Sequence, residues 1–339
     1  MDKVYPWASL EADFSHGLIL GNGASIAFDP RFGYDSLKKQ AQDLGLITPD
    51  VQRVFDHLQT IDFELVLRML WHASKINEAL AIADVRTTQA YEAVRDGLIE
   101  VVRAIHVAHD VVRDRLPQAA AFMGRFSTVI SLSYDVLVYW AILVGNEDAL
   151  NRFKDCFLGG EFQQHWQRFR EPYGSNRNAT LVFYPHGSLT LAADLAGTEF
   201  KIQTNAGGAL LDTVFDRWRA GDTSPVFVSE GTSEQKLAAI RRSPYLSTVY
   251  EEVLPDLGDS VVVFGWSLHD NDDHLLDAVC LDAVCRYSAR RFAVAADPTA
   301  PDLDELQARI RRKLAARFGR NRFELTFFDR GSHGCWIAP

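Results

Sequence analysis

Residues 17–25 are Gly17-Leu18-Ile19-Leu20-Gly21-Asn22-Gly23-Ala24-Ser25, and this stretch decides the fold. The apolar run ends abruptly in Gly-Asn-Gly, which predicts a buried strand followed by a tight turn. A helix beginning at or beyond Ser25 would point its free N–H groups and its dipole at that turn, an arrangement that suits a phosphate. The motif lacks the full Gly-x-Gly-x-x-Gly pattern, so a plain tight turn is the alternative to a nucleotide-binding loop.

Six further apolar runs predict strands. They cover residues 128–132, 181–184, 225–229, 260–265, 291–295 and 323–328. Most are continuously apolar rather than alternating, as expected of parallel strands that are covered on both faces. We therefore predict an α/β fold with a doubly wound, mostly parallel, Rossmann-like sheet of about six or seven strands.

Helical patterns fill two stretches between these strands. A large insertion of about residues 50–120 follows the first strand and carries an apolar stripe at helical spacing from Ala90 to Val112. The stripe is typical of a core-facing helix, with a lid over a pocket or an oligomer contact as alternatives. A second helical segment is expected at about residues 147–172, where five aromatic residues are expected to pack. No linker is evident, so residues 1–339 are expected to form a single domain.

Composition limits the partners of the chain. Its 339 residues carry a formal net charge of −10, which argues against broad binding to nucleic acid or to an anionic membrane. The longest apolar run, residues 136–144, is far short of the roughly 20 residues of a membrane helix. The first residues are charged and lack an apolar signal segment, so we expect a cytoplasmic location.

Metal binding is not expected from the pattern of ligand residues. None of the four cysteines belongs to a Cys-x-x-Cys pair, and no His-x-x-x-His or His-Glu-x-x-His pair occurs. The acidic run 270–273 does not have the spacing of an EF-hand and is expected to be a solvated helix start. The cysteines are Cys156, Cys280, Cys285 and Cys335, and buried reduced thiols are expected.

Small polar and titratable residues follow several predicted strands. In an open parallel sheet the ligand crevice lies beyond the carboxyl ends of the strands, so these residues are candidates for one site. Besides Gly21, Asn22, Gly23, Ala24 and Ser25, they are Ser133, Asp135, His186, Gly231, Thr232, Ser233, Gly265, Ser267 and Asp270.

These motifs, in this order, resemble the sirtuin-like family in the broad sense that includes bacterial NAD hydrolases of the phage-defence type. The 21–25 loop looks like the first NAD loop of that family, and His186-Gly187 is similar to its catalytic His-Gly. Gly231-Thr232-Ser233 and the segment 265–270 are similar to later nucleotide-binding motifs. The longer string 230–237 resembles one bacterial subfamily. The resemblance covers most of the chain through short motifs and implies NAD as substrate or ligand.

One position departs from the family pattern. Ser133-Tyr134-Asp135 stands where the family has Asn-Tyr-Asp or Asn-Ile-Asp, and a serine offers one hydroxyl in place of an amide. Ser133 could hold a water that does the same work, could leave NAD bound but uncleaved, or could be the change that silences an enzyme. Asp135 is expected to order the loop or to face the ribose.

The resemblance implies cleavage of the bond between nicotinamide and ribose, with an oxocarbenium-like centre as in glycoside hydrolysis. His186 is the expected general base, and the alternative is a histidine that only satisfies a buried loop. Gly231, Thr232 and Ser233 are expected to bind on the adenosine side, or else to be a simple helix start. Two other functions stay open: an NAD or ADP-ribose sensor without catalysis, and an ADP-ribosyltransferase. A small nucleotide is the expected partner, and a homo-oligomer is left open.

Overall fold

The computed structural model describes residues 2–33, 36–148, 152–171, 179–204, 209–228, 230–281, 290–319 and 322–338. Its strands are β1 (Val4–Tyr5), β2 (Gly17–Leu20), β3 (Thr128–Ser131), β4 (Phe153–Lys154), β5 (Phe157–Leu158), β6 (Glu161–Phe162), β7 (Thr180–Phe183), β8 (Gly187–Asp194), β9 (Glu199–Lys201), β10 (Thr223–Phe227), β11 (Ser260–Phe264), β12 (Arg290–Ala296) and β13 (Phe323–Asp329).

Helices connect these strands. In the described part of the chain they are α1 (Asn22–Phe28), α2 (Leu37–Asp43), α3 (Pro49–His57), α4 (Phe63–Ala79), α5 (Val85–Ile105), α6 (His109–Val112), α7 (Leu116–Met123), α8 (Leu137–Asp148), α9 (Leu210–Ala220), α10 (Ser233–Ile240), α11 (Pro244–Thr248), α12 (Asp273–Cys280) and α13 (Leu303–Phe318). Helices α3 to α7 occupy the stretch expected to be a helical insertion. None of these helices is long and apolar enough to cross a membrane.

The main sheet has eight strands in the order β1-β13-β12-β11-β2-β3-β7-β4, and all of its pairings are parallel. Every residue of β2, β3, β7 and β11 is buried, which explains why their sequences are continuously apolar. The predicted α/β fold with a large parallel sheet is confirmed, and the sheet has eight strands where six or seven were expected. The two additional strands are short, and both lie at its edges.

A second sheet has five strands in the order β10-β8-β9-β6-β5, with antiparallel pairing. The run 225–229 was expected to belong to the parallel sheet, but β10 pairs with β8 in this second sheet instead. Strand β8 was not expected, because its sequence Gly-Ser-Leu-Thr-Leu is not continuously apolar. Its buried hydroxyls, Ser188 Oγ and Thr190 Oγ1, lie 3.1 Å apart and satisfy each other.

The helix expected at about residues 147–172 is wrong in the described part of that stretch. Helix α8 ends at Asp148, and three short strands and a 3₁₀ turn, Trp166–Arg170, follow. Gly159 and Gly160 have φ values of +59° and +92°, and they join β5 to β6 in a hairpin that pairs Phe157 with Phe162. The expected packing role of the aromatic residues holds for Phe153, Phe157 and Trp166, which are buried.

Candidate functional site

The strand order of the main sheet reverses at β2. Along the chain, β3 and β7 are added on one side of β2, and β11, β12 and β13 are added on the other side. These six strands therefore have the order 3-2-1-4-5-6 of the Rossmann fold, in which ligands bind beyond the carboxyl ends of the strands at the reversal. A cavity of about 200 Å³ lies there.

Three of the distant segments that meet in this cavity were expected from the sequence. Gly21 and Asn22 follow β2, Ser133 follows β3, and His186 follows β7, and all four line the cavity. His186 lies in the turn that leads from β7 in the main sheet to β8 in the second sheet. The structure thus brings together the first glycine turn, the serine that replaces the family asparagine, and the histidine of the His-Gly motif.

The glycines of the first turn have a packing role. The N–H groups of Gly21 and Gly23 donate to the carbonyl oxygens of Phe264 and Gly265, each at 2.9 Å. A Cβ on Gly21 or Gly23 would lie 2.5 or 2.7 Å from the Gly265 oxygen. The start of α1 and the turn after β11 therefore touch through their backbones. Two N–H groups expected to cradle a phosphate are used in this contact, and Ala24 and Ser25 are buried beside it.

Ser133 and Asp135 form one hydrogen-bonded unit. Ser133 Oγ donates to Asp135 Oδ2 at 2.6 Å, and Asp135 Oδ1 accepts the Leu137 N–H at the start of α8 at 2.8 Å. Ser133 Oγ also lies 3.5 Å from Asn22 Oδ1. Asp135 thus orders the loop and the helix that follows it, which was one of its two expected roles, and it is not among the residues that line the cavity.

A chain of hydrogen bonds holds His186. Its Nε2 lies 3.1 Å from His274 Nε2, and His274 Nδ1 lies 3.1 Å from Ser233 Oγ, which itself accepts the His274 backbone N–H at 2.9 Å. His186 also hydrogen-bonds the backbone of Leu132. We assign one set of protons to this chain: Ser233 donates to His274, His274 Nε2 donates to His186 Nε2, and His186 Nδ1 donates to Leu132.

His186 and His274, the two histidines of this series of hydrogen bonds, are neutral at pH 7. Burial, followed by the nearby Lys236 ammonium, lowers the pKa of His186 to about 3. Burial likewise lowers the pKa of His274 to about 4. A general base works best with a pKa near the operating pH, so this environment does not favour the base role expected for His186.

Lys236, Trp266 and Asp272 also line the cavity, and they were not among the expected site residues. Lys236 Nζ donates to Asp272 Oδ1 at 2.8 Å, and Trp266 Nε1 donates to Asp272 Oδ2 at 3.3 Å. Asp272 belongs to the acidic run that was expected to be solvated, but it is largely buried. A lysine and an aspartate therefore face the cavity as a pair.

Glu230 is the second carboxylate of the cavity. One oxygen, Oε1, accepts the backbone N–H of Leu37 at the start of α2. The other, Oε2, is buried and has no hydrogen-bond partner among the described residues. Burial is the main cause that raises the pKa of Glu230 to about 7; the Asp62 charge adds to it, and the backbone N–H groups of Leu37 and Lys38 oppose it. The residue belongs to the string 230–237, which resembles one bacterial subfamily, but it was not an expected site residue.

The Gly-Thr-Ser motif forms the start of α10. Thr232 is its N-cap, and Thr232 and Gln235 form a reciprocal capping box. Gly231 has a φ of +116° and lines, with Thr232, a separate groove of about 560 Å³. The simple helix start considered for this motif is therefore present, while Ser233 supports the histidine chain.

The last motif contributes less to the cavity than expected. Gly265 makes the backbone contact with the first turn, but Ser267 is exposed and its carbonyl accepts from Arg309. Asp270 has a side chain that is 81% exposed, and it pairs with Lys313 at 2.6 Å. Neither Ser267 nor Asp270 lines the cavity or the groove. Trp266 of this segment lines the cavity, and so does Asp272 just after it, while His274 hydrogen-bonds His186.

Metal ligands are not grouped in the part of the chain that the structure describes: no three His, Cys, Asp or Glu side chains there could hold an ion together. Cys156, Cys280 and Cys335 are buried free thiols, and burial raises the pKa of each. Cys285 lies outside the described residues.

Comparison with known proteins gives a family without an assigned activity. A family model described as a domain of unknown function (DUF4917) matches residues 18–336, which is nearly the whole chain. No curated protein matches the chain. The chain therefore belongs to the DUF4917 family.

Proposed function

We propose that this protein binds NAD in the crevice at the strand reversal and cleaves the bond between nicotinamide and ribose. The observation that carries the proposal is the shared cavity of Gly21, Ser133 and His186, at the place where Rossmann folds hold dinucleotides. The same residues carry the sequence resemblance to sirtuin-like NAD hydrolases.

The volumes of the cavity and of the groove beside Gly231 favour an arrangement in which NAD occupies both. The cavity of about 200 Å³ is smaller than a typical ligand pocket of roughly 300–1,000 Å³, so it accommodates only part of NAD. The groove of about 560 Å³ is lined by Gly231 and Thr232, which directly follow Glu230 of the cavity in the sequence. We place the nicotinamide and its ribose in the cavity and the adenosine end in the groove, with Lys236 as the cation nearest the phosphates.

Cleavage of the bond between nicotinamide and ribose requires few catalytic groups. Nicotinamide leaves as a neutral molecule, so the site has to hold the ribose, exclude bulk water and orient one acceptor. Ser133 and His186 both line the cavity in which this would take place. Transfer of ADP-ribose to another acceptor would use the same geometry.

A second function has an observation in its favour. His186 has both ring nitrogens engaged and a lowered pKa, and the Ser133 proton is given to Asp135. Those features favour an NAD or ADP-ribose sensor that binds without cleaving.

The test is incubation of the purified protein with NAD, with chromatography of nicotinamide and ADP-ribose and calorimetry of binding. Release of both products supports the hydrolase. Binding without release supports the sensor, and nicotinamide release that needs an added acceptor supports the transferase. If the protein neither binds NAD nor releases nicotinamide from it, the proposal is refuted.

A paired variant tests the position that departs from the family. Ser133→Asn restores the family amide, and a large gain in turnover would identify Ser133 as the change that limits activity. Ser267→Asn makes the same substitution at an exposed serine outside the cavity, and it should leave both binding and turnover at the wild-type level.

A further inference from the structure

Glu230 lines the cavity, and its hydrogen bonds are incomplete among the residues that the structure describes. Of the groups that could take a proton there, His186 has both nitrogens engaged and Asp272 accepts from Lys236 and Trp266. Glu230 is different: Oε1 is held by α2, while Oε2 has no partner among the described residues. A buried polar oxygen without a partner is unfavourable, so a bound water or hydroxyl at Oε2 would be favoured.

The backbone fixes where Glu230 stands. The residue follows the end of β10 and precedes the N-cap of α10. Val228, two residues earlier, donates its N–H to the His186 carbonyl at 2.7 Å, so this segment is tied to the turn after β7. The Leu37 N–H then fixes one carboxylate oxygen. Such double anchoring gives a carboxylate the fixed orientation that proton transfer requires.

Resting on the function proposed above, we infer that Glu230 is the general base of NAD cleavage. The Glu230 carboxylate takes one proton from the attacking water as the oxygen of that water bonds to C1′ of the ribose. The bond from C1′ to the nicotinamide nitrogen breaks, and its electron pair leaves with neutral nicotinamide. Glu230 then gives its proton to solvent, and the products are ADP-ribose, nicotinamide and one proton.

The charged groups around Glu230 agree with this role. Burial and the Asp62 carboxylate raise its pKa, and the backbone N–H groups of Leu37 and Lys38, together with the Lys236 ammonium, partly oppose them. His186 is neutral, and Asp272 is paired with Lys236 on the same cavity. The carboxyl group therefore exchanges its proton near neutral pH, as a base in turnover must.

The experiment compares Glu230→Gln with the wild type. Glutamine keeps an oxygen for the Leu37 N–H but cannot take a proton. We expect kcat for nicotinamide release to fall by about 10²–10⁴ while the Kd for NAD, measured by calorimetry, stays within a few-fold. The wild-type kcat should rise with pH through about 7, and this rise should be absent from the variant.

Glu64→Gln is the matched control. Glu64 is also a buried glutamate with a raised pKa, but it lines a different cavity, beside Arg68 and Arg242. Its replacement should leave kcat and its pH profile as in the wild type.

Two failures can be told apart. If the wild type releases nicotinamide and Glu230→Gln keeps the same kcat and pH profile, the role of Glu230 is refuted and the proposed function stands. If the wild type leaves NAD intact, the proposed function fails and the base assignment falls with it. Should Glu230→Gln not fold, formate is expected to restore turnover to Glu230→Ala, and an absence of rescue would count against the base.

Discussion

Gly265 forms the close backbone contact between the start of α1 and the turn after β11. Its φ is +69°, and a Cβ there would lie 2.2 Å from the Ala24 nitrogen. Gly45 offers a natural comparison, because its φ is +68° and nothing lies within 4 Å of its Cβ position. Alanine substitution at both glycines therefore separates the stability lost to a left-handed backbone from the stability lost to steric crowding.

Gly265→Ala is expected to destabilise the protein more than Gly45→Ala. A left-handed alanine costs about 1–2 kcal/mol, and overpacking against backbone adds typically 1–3 kcal/mol or more. Urea denaturation gives the free energy of unfolding of each variant. Equal losses for the two variants would mean that the contact between the turns does not contribute to stability.

Single residues of the site were predictable where local sequence marks the end of a strand. Gly21, Ser133 and His186 were found in this way, and all three line the cavity. Lys236 and Asp272 were not found, because their pairing joins two helix starts that are 36 positions apart. A single sequence shows neither that approach nor the burial that distinguishes Asp272 from Asp270.

The start of α8 illustrates how an element depends on the site. The first N–H groups of a helix have no partner within the helix. Here Asp135 accepts from Leu137 N, and His106 Nε2 accepts from Val136 N at 3.3 Å. His106 Nδ1 meets the Val107 carbonyl at 2.9 Å, which places its proton on Nδ1.

Asp135→Ala removes the cap of α8. We expect a loss of about 1–2 kcal/mol in the free energy of unfolding, since a capping carboxylate is lost and the Ser133 hydroxyl loses its acceptor. Asp304→Ala is the control, because Asp304 is exposed in the first turn of α13 and that helix has no side-chain cap. Its expected loss is below about 1 kcal/mol, and chemical denaturation measures both. A loss for Asp135→Ala no greater than that of the control would contradict the capping role.

Elements were predictable where burial is uniform. The apolar runs identified β2, β3, β7 and β11, because strands covered on both faces need apolar side chains throughout. Apolar runs also identified β12 and β13, although these two strands are only partly buried. Strand β8 was missed, since its buried hydroxyls satisfy each other, and the hairpin at Gly159 was taken for helix because its aromatic residues lie at nearly helical spacing. Which sheet a strand joins is decided by tertiary contacts, so β10 was assigned wrongly.

At the scale of the whole molecule, buried titratable groups act on stability in opposite directions. His186 and His274 have lowered pKa values, so the unfolded chain binds more protons as the pH falls below about 6.5, and acid favours unfolding. Glu64 and Glu230 have raised pKa values, so the folded protein holds protons that the unfolded chain has lost above about pH 4.5. For these carboxyl groups a rising pH favours unfolding.

Glu64 gives the sharpest test of this balance, because burial raises its pKa to about 8. Between pH 5 and pH 8 its contribution to the free energy of unfolding should fall with rising pH, by at most about 1.4 kcal/mol per unit. Glu64→Gln removes this titration and keeps an oxygen for Arg68, which pairs with Glu64 at 3.0 Å. In urea denaturation, Glu64→Gln should gain stability relative to the wild type as the pH rises through this range. Glu78→Gln, at a side chain of the same helix that is 72% exposed, should show a constant difference. A constant difference for Glu64→Gln as well would show that the buried carboxyl group is ionised throughout.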